Sequence, residues 1–348
     1  MKMRRLGLYG LFLVVLIFMF FYPLNSYISK PGGAYDLAPL VEVAGGNDHE
    51  TGTFNLMTVS IAKATPLSYL VARFSDDRKI MPVQKVRREG ENDKEYNIRQ
   101  RRLMSDSQFN AITVAFDRVG LPVDIQFDGV FVVMVLPGSA ADTILEVGDK
   151  IRSIDGKKLT ESGQFATLIS EKKEGDQVDL SVERGDKQLG VTVALKEIPD
   201  SEGKIGLGIQ FQEDRLLTTQ PEVEFSTGEI GGPSAGLMFT LEIMNQLMEE
   251  DMTKGYQIAG TGEMLPDGTV GRIGGAEFKV MAASNDGIEI FFAPDDELSD
   301  EVRSANPGIK TNYEEAVEAA KKIGTTMKIV PVKTVDDALD YLKKLEPK

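Results

Sequence analysis

Residues 228–239 read GEIGGPSAGLMF, and the reading of Ser234 within them decides what the rest of the chain has to be. Two glycines and a proline lead into the serine, small residues follow, and an apolar run begins at once. A phosphate-binding loop needs a lysine and then Ser or Thr after its glycines, so that backbone N–H groups and an ammonium both meet the phosphates. Here Pro233 removes a donor and no lysine is adjacent, so that reading fails. A helix cap fits, because a serine ahead of an apolar-periodic run is the usual N-cap signal. Leu237, Leu241, Met244 and Met248 would then form the buried stripe of the helix. A nucleophile fits the same letters, and on this stretch alone cap and nucleophile stay open.

Composition narrows the chemistry. The 348 residues suffice for two or three domains, and 42% apolar content is ample for buried cores. A net charge of -15 argues against nucleic acid or an anionic membrane surface as the main ligand. The chain has no Cys, no Trp and one His, which removes thiol catalysis, disulfide scaffolds and multi-histidine zinc sites; no cofactor or metal is expected. His49 lies in GGNDHETG and reads as a surface loop residue.

A serine activated here must therefore lose its proton to something other than histidine. Lysine serves if burial lowers its pKa from about 10.4 toward neutrality. Most lysines of this chain sit among charges, but Lys279 in GRIGGAEFKVMAASN sits among small and apolar residues on an apparent helix after a glycine turn. This pairing moves Ser234 toward nucleophile.

The rest of the chain divides at changes of pattern into residues 1–29, 30–120, 121–198 and 199–348. MKMRR precedes an uncharged stretch, 6–29, whose apolar part, 6–22, reaches roughly 26 Å as a helix and is expected to span a membrane once. Basic residues before it and none directly after place the N-terminus in the cytoplasm and the remainder outside. No small-x-small cleavage site follows closely, so the anchor is expected to stay. KPGGAYD, 30–36, reads as a linker; 38–62 as strands, with FNLMTVSI the strongest run; and 73–102 as a solvated, charge-dense surface. A helix is expected over 105–119, capped by Ser105 with Gln108 and stopped by Gly120. Residues 121–198 read as a β-rich module: a buried strand, a Pro-Gly turn and short helix, a strand with an Asp-Gly turn, an amphipathic helix, then two strands. After Pro199 strands alternate with helices, implying an α/β layer structure.

The signature PGSAAD…LEVGDKIRSIDGKKL in the middle module resembles a PDZ domain of the kind found beside bacterial proteases, which implies binding of an extended peptide beside a sheet. From 223 to 345 the chain resembles the proteolytic domain of Lon proteases: GGPSAG, TGEMLPDGTVGRIGG, K-x-x-A-A from Lys279, GIEIFFAP and IVPVKTVDDAL. By position the resemblance implies that Ser234 is the nucleophile and Lys279 the general base of a Ser-Lys dyad, with Thr261 helping to hold the lysine. Gly232 stands where Lon has an Asp, and AEF before Lys279 is less polar than in Lon. The layout resembles membrane-anchored bacterial surface proteases. It implies an α/β, layered Lon-type domain interrupted by a PDZ domain, and an ATP-independent endopeptidase acting on secreted peptides or membrane-tethered proteins. The rival reading is a PDZ-based membrane adaptor whose protease domain has decayed; the joint presence of Ser234, Lys279 and Thr261 argues against it.

Overall fold

The computed structural model describes residues 2–48 and 50–348, so the loop reading of His49 lies outside the described residues. The chain forms two compact units, one from residues 1–91, 103–121 and 223–348, the other from 92–102 and 122–222.

The first unit is built on a six-stranded mixed sheet. Its order is Lys328–Val332, Ile290–Pro294, Gln257–Gly260, Thr53–Lys63, Ser26–Asp36 and Lys79–Pro82. The first three pairings are parallel and the last two antiparallel. The parallel strands carry near-continuous apolar runs such as IFFAP, all five of whose residues are buried, as a strand covered on both faces requires. The helices Ala276–Asn285 and Asn312–Ile323 supply Val280, Ala283, Ala316 and Ala319 to a core with Phe291 and Met57.

Residues 30–36 do not form a linker. They belong to the strand Ser26–Asp36, and the register shifts between Pro31 and Ala34 as it passes Thr53–Lys63. A Cβ on Gly32 would fall 2.3 Å from Thr58 Oγ1, so the glycine that reads as flexibility is there for close approach. The uncharged N-terminal stretch likewise divides: Lys2–Phe21 is helix, and 26–29 already belong to the sheet. Among the described residues, no helix is long and apolar enough to cross a membrane.

The helix expected over 105–119 runs instead from Asp93 to Val119. Its start is set by Asn92, whose Oδ1 accepts from Glu95 N at 3.0 Å while Glu95 Oε2 accepts from Asn92 N at 2.9 Å. This is a reciprocal box thirteen residues upstream of the expected one. The charge-dense stretch hides the helix because its polar residues mask the 3.6-residue period.

In the second unit the antiparallel sheet runs Ile209–Thr219, Val123–Val135, Lys150–Ile154, Gln177–Arg184 and Lys187–Ala194. Val132, Ile151, Leu159, Phe165 and Leu180 are among its buried core residues. The unit does not stop at 198, since Ile209–Thr219 pairs along nearly the whole length of Val123–Val135. The short helix expected after the Pro-Gly turn is a series of turns, interrupted where Thr143 takes φ 67°. Phe165, on the helix Gln164–Ser170, meets Phe211 edge-on at 4.7 Å between centroids.

The helix Gly236–Leu247 is buried on every side from Gly236 to Gln246, not along one stripe. That encloses Glu242, whose Oε1 accepts from Gln246 Nε2 at 2.6 Å while Oε2 is buried with no hydrogen-bond partner among the described residues. Burial, reinforced by the Glu50 carboxyl group, pushes Glu242 up from 4.5 to about 8. A carboxyl raised in the folded state contributes fully below its unfolded pKa, and that contribution is lost as pH rises toward the folded one. Stability should thus fall between about pH 4.5 and 8. Glu242→Gln is expected to flatten this slope and to gain about 1–3 kcal/mol at pH 8, measured by urea unfolding at pH 5 and pH 8.

Candidate active site

Ser234 sits where the loop after the strand Val223–Phe225 turns into the Gly236–Leu247 helix. It is not the cap. The N-cap position is Ala235 and carries no side-chain cap bond, so the hydroxyl is free for another partner. The loop that presents it is held from three directions. Ser107 Oγ donates to Pro233 O at 2.9 Å, Gly262 N donates to Ser234 O at 3.0 Å, and Leu237 N donates to Gly262 O at 3.1 Å. Gly232 is buried with φ 93°, a conformation that an aspartate would hold only under strain. Gly236 allows the helix to start against the neighbouring hairpin, because a Cβ there would lie 2.6 Å from Met264 N.

Lys279 lies in the first turn of the Ala276–Asn285 helix, which starts from Gly275 in the left-handed region at φ 73°. The preceding turn is pinned by Asn312, which accepts from Ile273 N at 2.7 Å and donates to Ile273 O at 3.0 Å. Arg272 is held by Asp296 at 2.7 Å and Glu315 at 3.1 Å. The lysine is 3% exposed, its stem among buried apolar neighbours. Its Nζ donates to Ser234 Oγ at 2.7 Å and to Met57 O at 2.7 Å. The second acceptor exists because the ladder between Thr53–Lys63 and Gln257–Gly260 ends at the pair Leu56 and Gly260, and the next carbonyl is Met57's.

No carboxylate is bonded to this amine among the described residues. Desolvation disfavours the charged form, and the Lys279 amine is lowered from 10.5 to about 7. A substantial fraction is thus neutral near pH 7 and can accept a proton. Ser234 is only half-buried, so its hydroxyl stands between a buried base and a surface that a substrate can reach. The geometry is that of an activated nucleophile with an adjacent general base.

Thr261 follows directly on the strand Gln257–Gly260 and is fully buried. Its Oγ1 donates to Ser234 O at 3.0 Å. The bond goes to the backbone of the serine, whereas the family resemblance implies a threonine that helps hold the lysine. Ser234, Lys279 and Thr261, separated by up to 45 positions, are brought together. Met57, Ser107 and Asn312 were missed by sequence reasoning. Met57 acts through a backbone carbonyl, which leaves no side-chain signal, and Ser107 was overshadowed by the neighbouring Ser105 and Gln108.

Family models match two stretches of the chain. A family model for the Lon protease (S16) C-terminal proteolytic domain matches residues 222–344, and one for the PDZ domain matches residues 102–195. The chain is similar to the Lon protease of Mesomycoplasma hyopneumoniae (strain 232), 27% identical over 180 residues, which cover 48% of this chain and 18% of that one. It is also similar to a probable periplasmic serine endoprotease, DegP-like, of Pseudomonas putida (strain GB-1), 31% identical over 88 residues, 25% of this chain and 18% of that one. The chain thus spans under a fifth of the length of these curated relatives. Among solved structures, the PDZ domain of the SdrC-like protein from Listeria monocytogenes is 36% identical with a TM-score of 0.23, covering 24% of this chain and 88% of that chain. The chain therefore carries, in one polypeptide, a PDZ domain and a proteolytic domain of the Lon (S16) serine-peptidase family.

Proposed function

We propose that the protein is a membrane-attached serine endopeptidase that works without ATP through a Ser234-Lys279 dyad. The observation that carries this reading is the 2.7 Å bond between Ser234 Oγ and a desolvated Lys279 Nζ that has no carboxylate partner among the described residues. Neutral Lys279 takes the Ser234 proton as Oγ attacks the peptide carbonyl. The protonated amine then gives that proton to the leaving nitrogen, and water activated by the same lysine hydrolyses the acyl-enzyme. Met57 O supports the cycle by accepting from the amine in both protonation states. No step uses a nucleotide.

The tetrahedral oxyanion needs preorganised donors. Gly236 N is turned to Pro233 O and Leu237 N to Gly262 O. Pro233 has no N–H, so we assign the role to the Ser234 and Ala235 amides, which precede a helix N-terminus where the dipole also favours negative charge. Thr261 and Ser107 would act as positioning residues, holding the carbonyls on either side of the Ser234 Cα.

The Lys2–Phe21 helix supports membrane attachment, with basic residues in the sequence of its first turn and exposed apolar side chains along the rest of it, from Leu6 to Phe21. The catalytic unit would then lie on the extracytoplasmic side and meet flexible segments of secreted or membrane-tethered proteins. The PDZ domain would select them or control their access. An intact Ser-Lys contact weighs against a decayed, adaptor-only role.

Three outcomes test the reading in the full chain with a flexible fluorogenic peptide. Ser234→Ala should lower kcat/KM by about 10⁴-fold or more with the fold unchanged by circular dichroism, and retained cleavage would sink the dyad. Lys279→Met should cost about 10²–10⁴-fold. Since the neutral amine is the active form, kcat/KM of the unaltered enzyme should rise with pH through about 7 and level off above it. An absence of that limb between pH 6 and 8 would exclude Lys279 as the base.

A further inference from the structure

The segment that links the N-terminal helix to the catalytic unit carries apolar surface that the proposed chemistry does not use. Helix Pro66–Arg73 buries Ala72 against Ile28 and Ala64, with Leu24 and Ile80 alongside. Its other side presents Leu70 at 51% exposure, and Phe74, its C-cap, is 84% exposed. Tyr69 and Val71 are exposed beside them. Such a cluster is costly in water, since each side chain withheld from burial forgoes about 1.5–3 kcal/mol.

This face is continuous with the apolar surface of the Lys2–Phe21 helix. Met19 and Leu24 join Pro66, Tyr69, Leu70 and Phe74 around an open cavity of about 550 Å³, and Arg73 is the one charged residue in its lining among the described residues. The two helices are also tied through the backbone. Leu24 N donates to Ala64 O at 2.8 Å, and Ala64 N to Ser26 O at 2.9 Å, directly ahead of Thr65, the N-cap of the second helix. Wherever the first helix goes, the second is carried beside its exit.

We infer that Pro66–Arg73 with Phe74 is a lipid-docking surface that lies in the membrane interface next to the exit of the N-terminal helix, and that it holds the proteolytic unit against the bilayer. The residue types fit that environment. Tyr22, Tyr69 and Phe74 place aromatic rings at the boundary, and Arg73 extends from the edge of the apolar patch toward phosphate. The cavity between the helices is filled by acyl chain. The second helix is short, so its binding depends on the first for effective concentration. The inference rests on the proposed membrane attachment and extends it from a flexible tether to a fixed seat.

The sequence contains no tryptophan, which makes a direct test available. Phe74→Trp and, separately, Leu16→Trp each give the full chain a single fluorophore, one on the docking face and one on the N-terminal helix. Each variant is reconstituted in phosphatidylcholine and phosphatidylglycerol vesicles, with and without bromine on the acyl chains near the headgroup. Both tryptophans are expected to shift to the blue and to lose intensity in the brominated vesicles. Quenching at position 16 with none at 74 would overturn the seat and leave the attachment standing. Quenching at neither would remove both. A blue shift at 74 without bromine quenching would also overturn the inference, because protein and not lipid would then cover the face.

Discussion

A single buried amine organises the catalytic unit. Lys279 Nζ is shielded from water and held between a backbone carbonyl and a serine hydroxyl, with no carboxylate among the described residues bonded to it to favour its charge. An ammonium in that position would forgo most of its hydration, and the neutral form is favoured for that reason. The sheet has to end its parallel ladder one residue before Met57 so that the carbonyl is left for the lysine. The Ala276–Asn285 helix has to enter at a left-handed glycine. The serine loop has to be held firmly enough that its hydroxyl stays within 2.7 Å.

That last requirement explains the crowding around Ser234. Ser107, Thr261 and Gly262 each bond the loop through a main-chain group, leaving the Ser234 side chain to the lysine. Glycine at 236 lets the helix begin in contact with the Met264 backbone, and a Cβ on Gly262 would fall 2.3 Å from Val270. The helix that follows is enclosed on all sides, which brings Glu242 into the interior beside Glu50. The firm platform is thus gained with a carboxyl group kept from ionising, a cost that apolar burial over the rest of the helix offsets.

The PDZ unit is closed by a strand that lies outside the part of it recognisable by eye. Ile209–Thr219 completes the sheet beside Val123–Val135, more than 70 residues apart in sequence. Asp214 on that strand is buried and meets Arg102 at 2.6 Å and Lys150 at 3.1 Å, so the closing strand is fastened by charge as well as by its ladder. Breaking such a desolvated pair from one side is costlier than never forming it, so the strand behaves as an integral part of the unit.

Much of the site was legible from local chemistry. With a single histidine and no cysteine, a serine among glycines and a lysine among apolar residues had few alternatives, and both lie in stretches whose turn glycines and apolar periods are strong local signals. The charged 73–102 segment and KPGGAYD misled for the same local reason: polar and glycine-rich composition suggests surface or linker. Whether such residues form a helix or a strand depends on a cap at Asn92 and on a partner strand at Thr53–Lys63. By itself, then, the sequence determined which groups could carry chemistry and which segments had to be buried, because residue type and periodicity are local properties. Only the tertiary structure decided that Met57 O would share the lysine, that Thr261 would bond the serine backbone, and that Ser234 would lie before the cap. Those outcomes depend on where strands stop and how main-chain groups meet across distant parts of the chain, and neither leaves a mark in the order of the residues.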